Sequence, residues 1–279
     1  MKHDGREIAR QNELRVLKAL HKFGWLRTRD LAALLWVKVK THIKQGFMPV
    51  ILSVDATALR MAQRTLARLR RDRKVIFTGA PDGSMIYGLA EAGARQLTTL
   101  AIPAKSGKDL VRRVSLSHYH HRRLANEIAI LAVLQGFRVA TETEISCGQW
   151  FGGQCGIEGK KPDVVVRDGK RIWWVEVERS RRNKKDYQRL LAWLMMMWSS
   201  SQRPGDPANL PGGYILEKVL FVCENAFVER LITDLRKAGL SDVEIEQRIV
   251  GVRLLYVSEA KFLLKAKPSA GANGVRSGG

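Results

Sequence analysis

Apolar positions recur at helical spacing over residues 6–23, where Ile8, Leu14, Leu17 and Leu20 line one face and Gly24 ends the run. A second, shorter helix is predicted over Thr28–Trp36, with Leu31, Leu34 and Leu35 inward. From Val37 to Val54 the period is lost, and Gly46 and Pro49 mark a loop with room for a strand. Asp55 then caps a strongly periodic helix that runs to about Arg71. Lys74–Thr78 and Ser84–Leu89 read as two strands joined by the turn residues Gly79-Ala80-Pro81-Asp82-Gly83. A helix over 90–100 follows, and then a polar, basic stretch from Ala101 to Ser115 that reads as a linker.

Beyond it the pattern is helix (117–135), strand (137–145), a Gly-rich loop (147–160), strands at 163–167 and 171–178, and a helix over 183–198. A Pro/Gly loop (201–213), a strand (218–223), helices over 225–238 and 241–248, and a strand over 252–258 complete the order. The division expected is a first domain over 1–100, a linker over 101–115, a second domain over 116–262 and a disordered tail over 263–279.

The helix from Asp55 to Arg71 has two unlike faces. At 100° per residue, Leu59, Ala62, Leu66 and Leu69 fall within about 80° of each other, and Arg60, Arg64, Arg68 and Arg71 lie nearly opposite. A planar guanidinium matches both phosphate and the guanine edge. Two helices before it and a hairpin after it give the order of a winged helix-turn-helix, in which the third helix enters the major groove and the wing touches the backbone. The connection before this helix is longer than a usual helix-turn-helix turn. Arg60, Gln63 and Arg64 are the candidates for base edges; Arg68, Arg71, Arg73 and Lys74 are the candidates for phosphates.

In the second half, Asp168-Gly169 signals a hairpin. A two-residue loop there pairs Arg167 with Lys170 and Asp163 with Trp174, which sets Asp163, Glu176 and Glu178 on one sheet face. Both faces of these strands are largely apolar, so clustered carboxylates would repel and be costly to desolvate. A divalent cation would relieve both costs, and oxygen ligands suit Mg²⁺ or Mn²⁺. An edge strand whose Val-Glu alternation solvates one face is the plainer alternative. Glu127, beside the apolar Leu124, Ala125, Ile128 and Ala129, is a further acid at the border of a buried face.

Charge sharpens this. The chain of 279 residues carries 48 Lys and Arg against 27 Asp and Glu, a net charge of +21, which favours a polyanionic partner through counterion release. No apolar run approaches the ~20 residues of a membrane span. The segment MKHDGREIARQ lacks a signal peptide's apolar stretch, and three cysteines make no disulfide framework, so a cytoplasmic, reducing setting is expected. His118, His120 and His121 point to different helix faces, with only His118 and His121 sharing a side, and Cys147 and Cys155 lack a second pair for zinc. Arg179, Arg181, Arg182, Lys184, Lys185 and Arg189 form a basic run beside the acids, suited to guiding a DNA backbone.

A helix with an acid, a strand with Pro162-Asp163, a strand with Glu176-Val177-Glu178, then a helix and a strand resemble the αβββαβ core of the PD-(D/E)xK nuclease fold. That resemblance implies that Glu127, Asp163 and Glu176 are metal-facing catalytic acids. Glu178 falls where most members carry lysine; a minority carry glutamate there and remain active, and others have lost catalysis. Arg182, Lys184 or Lys185 on the following helix could supply a displaced cation. Over about residues 8–200 the chain resembles the replication-relaxation family of plasmid and mobile-element proteins. The motifs are Ile86-Tyr87-Gly88-Leu89-Ala90-Glu91-Ala92-Gly93-Ala94, His121-Arg122-Arg123-Leu124-Ala125-Asn126-Glu127, and Pro162-Asp163 with Val175-Glu176-Val177-Glu178-Arg179, followed by a basic helix with Tyr187. This implies an α+β or α/β protein of two domains, acting on double-stranded DNA in replication, relaxation or mobilisation, with other replication or mobilisation proteins as further partners. The sequence leaves open a metal-dependent nicking enzyme, a non-catalytic accessory factor with a degenerate nuclease fold, and a plain transcriptional regulator.

Overall fold

The structure is a computed structural model, and it describes residues 4–37, 46–50, 53–178, 183–199 and 207–253. It is a mixed α/β protein with one antiparallel sheet and one mixed sheet.

Among the described residues, four helices and a small sheet form the first part. Helix α1 (Gly5–Phe23) starts at Asp4, whose carboxylate accepts from the Arg6 amide. Strand β1 (Trp25–Arg27) leads straight into α2 (Thr28–Trp36). After α3 (Ala56–Arg71) come β2 (Val75–Gly79), β3 (Met85–Leu89) and α4 (Glu91–Thr98). The antiparallel sheet has the order β1-β3-β2. Strand β1 was not legible beforehand, because all three of its residues are buried and it shows no alternation. Leu26, Val75, Tyr87 and Leu89 pack with Leu17 and Leu20 of α1 and Leu66 of α3. Each such fully buried leucine contributes about 1.5–3 kcal/mol.

The other sheet face is also covered. Residues 101–115, expected as a linker, contain helix α5 (Lys108–Arg112). Its Val111 is buried among Trp25, Ile86 and Tyr119. The approach is so close that a Cβ on Gly88 would lie 2.6 Å from Val111 Cγ2, so only glycine fits there.

The second part is built on helix α6 (Leu116–Leu134), capped by Ser115, and a larger sheet. Strand β4 (Arg138–Ala140) is short: the strand expected over 137–145 stops at Thr141, which forms a reciprocal capping box with Glu144 and opens helix α7 (Glu142–Ser146). Strands β5 (Val164–Asp168) and β6 (Arg171–Val177) form the expected hairpin, and α8 (Lys184–Ser199) follows. Strand β7 (Ala208–Leu210) lies in what read as a Pro/Gly loop; β8 (Tyr214–Val222), α9 (Asn225–Lys237), α10 (Asp242–Arg248) and β9 (Ile249–Val252) complete the described chain. The last strand thus begins before the expected 252–258, where positions from 254 lie outside the described residues, as does the expected tail over 263–279.

The sheet order is β4-β5-β6-β8-β7, with β9 also on β8. β4, β5 and β6 are antiparallel, whereas β6 pairs with β8, and β8 with β9, in parallel. One face (Val164, Val166, Trp173, Val175) packs on Leu124 and Ile128 of α6, in the same apolar cluster that contains Leu17 and Leu66. The other (Val165, Ile172, Trp174, Phe221) packs on Leu190, Trp193 and Leu194 of α8 and Leu231 of α9. Polar bonds also join the two parts at the end of α1, where Arg122 Nη2 donates to Phe23 O (3.0 Å) and Thr141 Oγ1 to Lys22 O (2.6 Å). These carbonyls belong to the last turn of a helix, where intrahelical donors run out.

Candidate functional site

Helix α3 has the two faces its spacing implied. Asp55 caps it by accepting from Ala58 N at 2.7 Å. Ala58, Ala62, Leu66 and Leu69 are buried, while Arg60, Gln63, Arg64 and Arg71 are exposed. Neither Arg60 nor Arg64 forms an ion pair with a described residue. Arg68 behaves differently. Its Nε lies 2.7 Å from Glu13 Oε1, so it ties α3 to α1 instead of joining the exposed row. Arg71 and Lys74 flank Asp72 at 3.6 and 3.5 Å, Arg73 is exposed between them, and Arg70 stacks over Phe77 at 3.7 Å. The candidate nucleic-acid face therefore reduces to Arg60, Gln63 and Arg64, with Arg71 and Arg73 at its end.

The β2–β3 hairpin does not project freely. Its tip closes with Ala80 N donating to Ser84 O, and Asp82 turns inward. The Asp82 carboxylate accepts from Ser84 Oγ (2.6 Å), Ser84 N (3.0 Å) and Tyr119 Oη of α6 (2.6 Å), with Arg27 Nη1 3.8 Å away. Although burial opposes its charge, these donors hold Asp82 below the usual carboxylate range. Burial and the Asp82 bond push Tyr119 up to about 12, so its hydroxyl stays a donor.

Arg27 sits at the centre of a buried network. It forks onto Asp30 through Nε (3.0 Å) and Nη2 (2.6 Å), and Nη2 also reaches Glu127 Oε1 at 2.6 Å. Burial disfavours its charge, but Asp30 and Glu127 outweigh that and raise its pKa well above the ordinary value. Arg123 Nη1 meets the same Glu127 oxygen at 3.2 Å. Glu127, expected to face a metal with the hairpin acids, is thus engaged by two arginines at the junction of α2 and α6.

The β5–β6 hairpin is shifted from its expected register. Asp168 pairs with Arg171, and Val164 with Val175, so the register continues to Asp163 across from Glu176 rather than Trp174. The shift is an even number of residues, so the faces are preserved. Even so, the acids separate. Asp163 lies just before β5, with Oδ2 accepting from Val177 N (2.7 Å) and Oδ1 3.0 Å from His121 Nε2. Glu176, 3% exposed, accepts from Trp174 Nε1 (2.6 Å) and pairs with Lys160 Nζ (2.9 Å). Glu178 lines an open groove of 620 Å³ with Ser117, His118, His121 and Glu142.

Asp163 and Glu178 therefore meet at His121, whereas Glu176 and Glu127 lie with other partners. Among the described residues, no group of three or more His, Cys, Asp or Glu is placed to hold a metal ion. A Mg²⁺ or Mn²⁺ centre needs converging oxygens. Here the oxygens of Asp163 face an amide and an imidazole, and a Glu176 oxygen faces an ammonium and an indole, so this set does not fit one.

Burial opposes the charge of His121, but its bond to Asp163 and the charges of Asp163, Glu142 and Glu178 raise its pKa to about 9. Because the folded value lies above the unfolded one, its contribution to stability is complete below about pH 6.5 and lost as the pH rises through 9. Unfolding midpoints are expected to fall over that window, and His121→Asn to flatten the dependence. An unchanged pH profile in the variant would contradict the pairing.

Lys184 and Lys185 are exposed at the start of α8, behind Asn183, whose Oδ1 accepts from Asp186 N. Arg182 lies outside the described residues, as do Arg179 and Arg181. Cys147 and Cys155 are exposed and free, and Cys223 is buried. Sequence reasoning missed Arg27, Tyr119 and Lys160. Lys160 follows the Glu158-Gly159 turn, where both φ values are positive and Ile157 pairs with Lys160, and Glu-Gly is not among the dipeptides that announce such a turn in a sequence.

No curated protein and no solved structure matches the chain. The family model for replication-relaxation matches residues 14–192, more than half of the chain, from α1 into α8. The chain belongs to the replication-relaxation family.

Proposed function

We propose that this chain is a double-stranded DNA-binding protein that serves the replication, relaxation or mobilisation of a plasmid or mobile element. In this reading α1, α2 and α3 with the β2–β3 hairpin are a winged helix-turn-helix, and α3 enters the major groove. The observation that carries it is the row of Arg60, Gln63 and Arg64, exposed opposite a buried apolar stripe, with both arginines free of ion pairs to described residues. A net charge of +21 supplies the sequence-independent attraction.

The second part, in which α6, β4, β5, β6, α8 and β8 follow one another with α7 and β7 inserted, is read as a PD-(D/E)xK-like fold used for contacts rather than cleavage. What supports this is the engagement of its acids by Arg27, Arg123, Lys160 and His121, together with Glu178 at the position where the nuclease pattern has lysine. Lys184 and Lys185 give it a basic edge suited to the phosphate backbone.

One gel tests both parts of the proposal. With supercoiled plasmid and Mg²⁺ or Mn²⁺, the protein is expected to retard the plasmid and leave it supercoiled. Nicking that disappears in Asp163→Ala would overturn the non-catalytic reading, and absence of retardation would overturn DNA binding.

A further inference from the structure

The hairpin tip poses an electrostatic problem for a protein that binds DNA next to it. Its residues are Pro81-Asp82-Gly83, and an aspartate directed at phosphates is repelled. Pro81 and Gly83 are exposed, yet the Asp82 side chain is only 14% exposed. It is turned onto α6, where Tyr119 Oη donates to it at 2.6 Å and Arg27 stands 3.8 Å away. The Tyr119 ring is itself fixed, fully buried and stacked on Trp25 with centroids 5.5 Å apart.

We propose that Tyr119 is a positioning residue for DNA binding: its hydroxyl withdraws the Asp82 carboxylate, so that the hairpin tip can lie against the DNA backbone. This rests on the reading of α3 and the hairpin as the DNA-binding surface. It gives the contact between the two parts of the chain a role in binding. When α6 is docked, Asp82 is held by donors and screened by Arg27. When α6 moves away, the tip presents a bare carboxylate. DNA that favours the withdrawn state therefore also favours the docking of α6, and the coupling runs equally in both directions. The roles of the two groups are stable across ordinary pH, since Tyr119 is held protonated and Asp82 ionised.

A double-mutant cycle on the full chain reads this directly. Tyr119→Phe keeps the stacked ring and removes only the hydroxyl. By fluorescence anisotropy on a duplex probe, Y119F is expected to bind roughly threefold to tenfold more weakly than wild type, the scale of one partly screened charge near phosphates. Asp82→Asn is expected to bind at least as tightly as wild type. In the Y119F/D82N protein the loss should vanish, returning affinity to that of D82N, because no charge remains to be withdrawn.

A merely structural hydroxyl would give the opposite result, a double variant as weak as Y119F, and that result overturns the proposal. Equal affinity of Y119F and wild type overturns it as well. A wild-type chain that binds no duplex overturns the α3 reading itself, and this inference with it. Circular dichroism and thermal unfolding of each variant accompany the titrations. If Y119F proves unfolded, D82N alone decides, since weaker binding by D82N than by wild type contradicts the proposal.

Discussion

Replacing Arg27 with alanine is expected to lower the unfolding free energy by about 3–5 kcal/mol. Arg27 is 5% exposed, and its guanidinium neutralises Asp30 and Glu127, whose side chains are 3% and 15% exposed. A buried ion pair adds little over a well-packed apolar alternative, but removing one partner strands the other's charge. Here Asp30 would lose the forked guanidinium, while Glu127 would keep Arg123. Arg27→Lys should restore only part of the loss, because an ammonium cannot fork onto Asp30 and reach Glu127 together. Urea unfolding followed by circular dichroism measures this, and a loss below about 1 kcal/mol would show that the network does not hold the two parts together.

The second large effect concerns Glu176. Lys160→Met should cost about 2–3 kcal/mol, somewhat below a fully buried pair because Lys160 is 17% exposed. Adding Glu176→Gln should recover much of that, since a neutral amide still accepts from Trp174 Nε1 without requiring a cation. Recovery identifies Glu176 as a carboxylate kept for its internal pairing. Stability unchanged by Lys160→Met would contradict that assignment.

Much of this was legible in the chain itself. The period of α3 separated Ala62, Leu66 and Leu69 from Arg60 and Arg64 correctly, because a helix surrounded by water on one side must encode both faces locally. The β5–β6 hairpin and its two apolar faces followed from Asp168-Gly169 and the run of Val and Trp.

What was not legible depended on distant partners. Arg68 belongs by angle to the exposed row, and only the placement of Glu13 on α1 takes it out. Asp163, Glu176 and Glu178 share a parity, but Asp163 precedes its strand and turns to His121 of α6. Glu127 looked like a boundary acid, and its reason for being there is Arg27, one hundred residues earlier. Short elements escaped for a simpler reason: β1 and β7 are three residues each, too brief for any period to register.

In the proposed function the exposed row of α3 is the face that reads DNA. Duplex binding at about 0.1 M salt, compared for wild type, R60A/R64A and R68A, tests it most directly. R60A/R64A is expected to lose affinity roughly tenfold or more with its fold intact, and R68A, whose partner is Glu13, to lose stability more than affinity. An R60A/R64A protein that binds the duplex as tightly as wild type would contradict it.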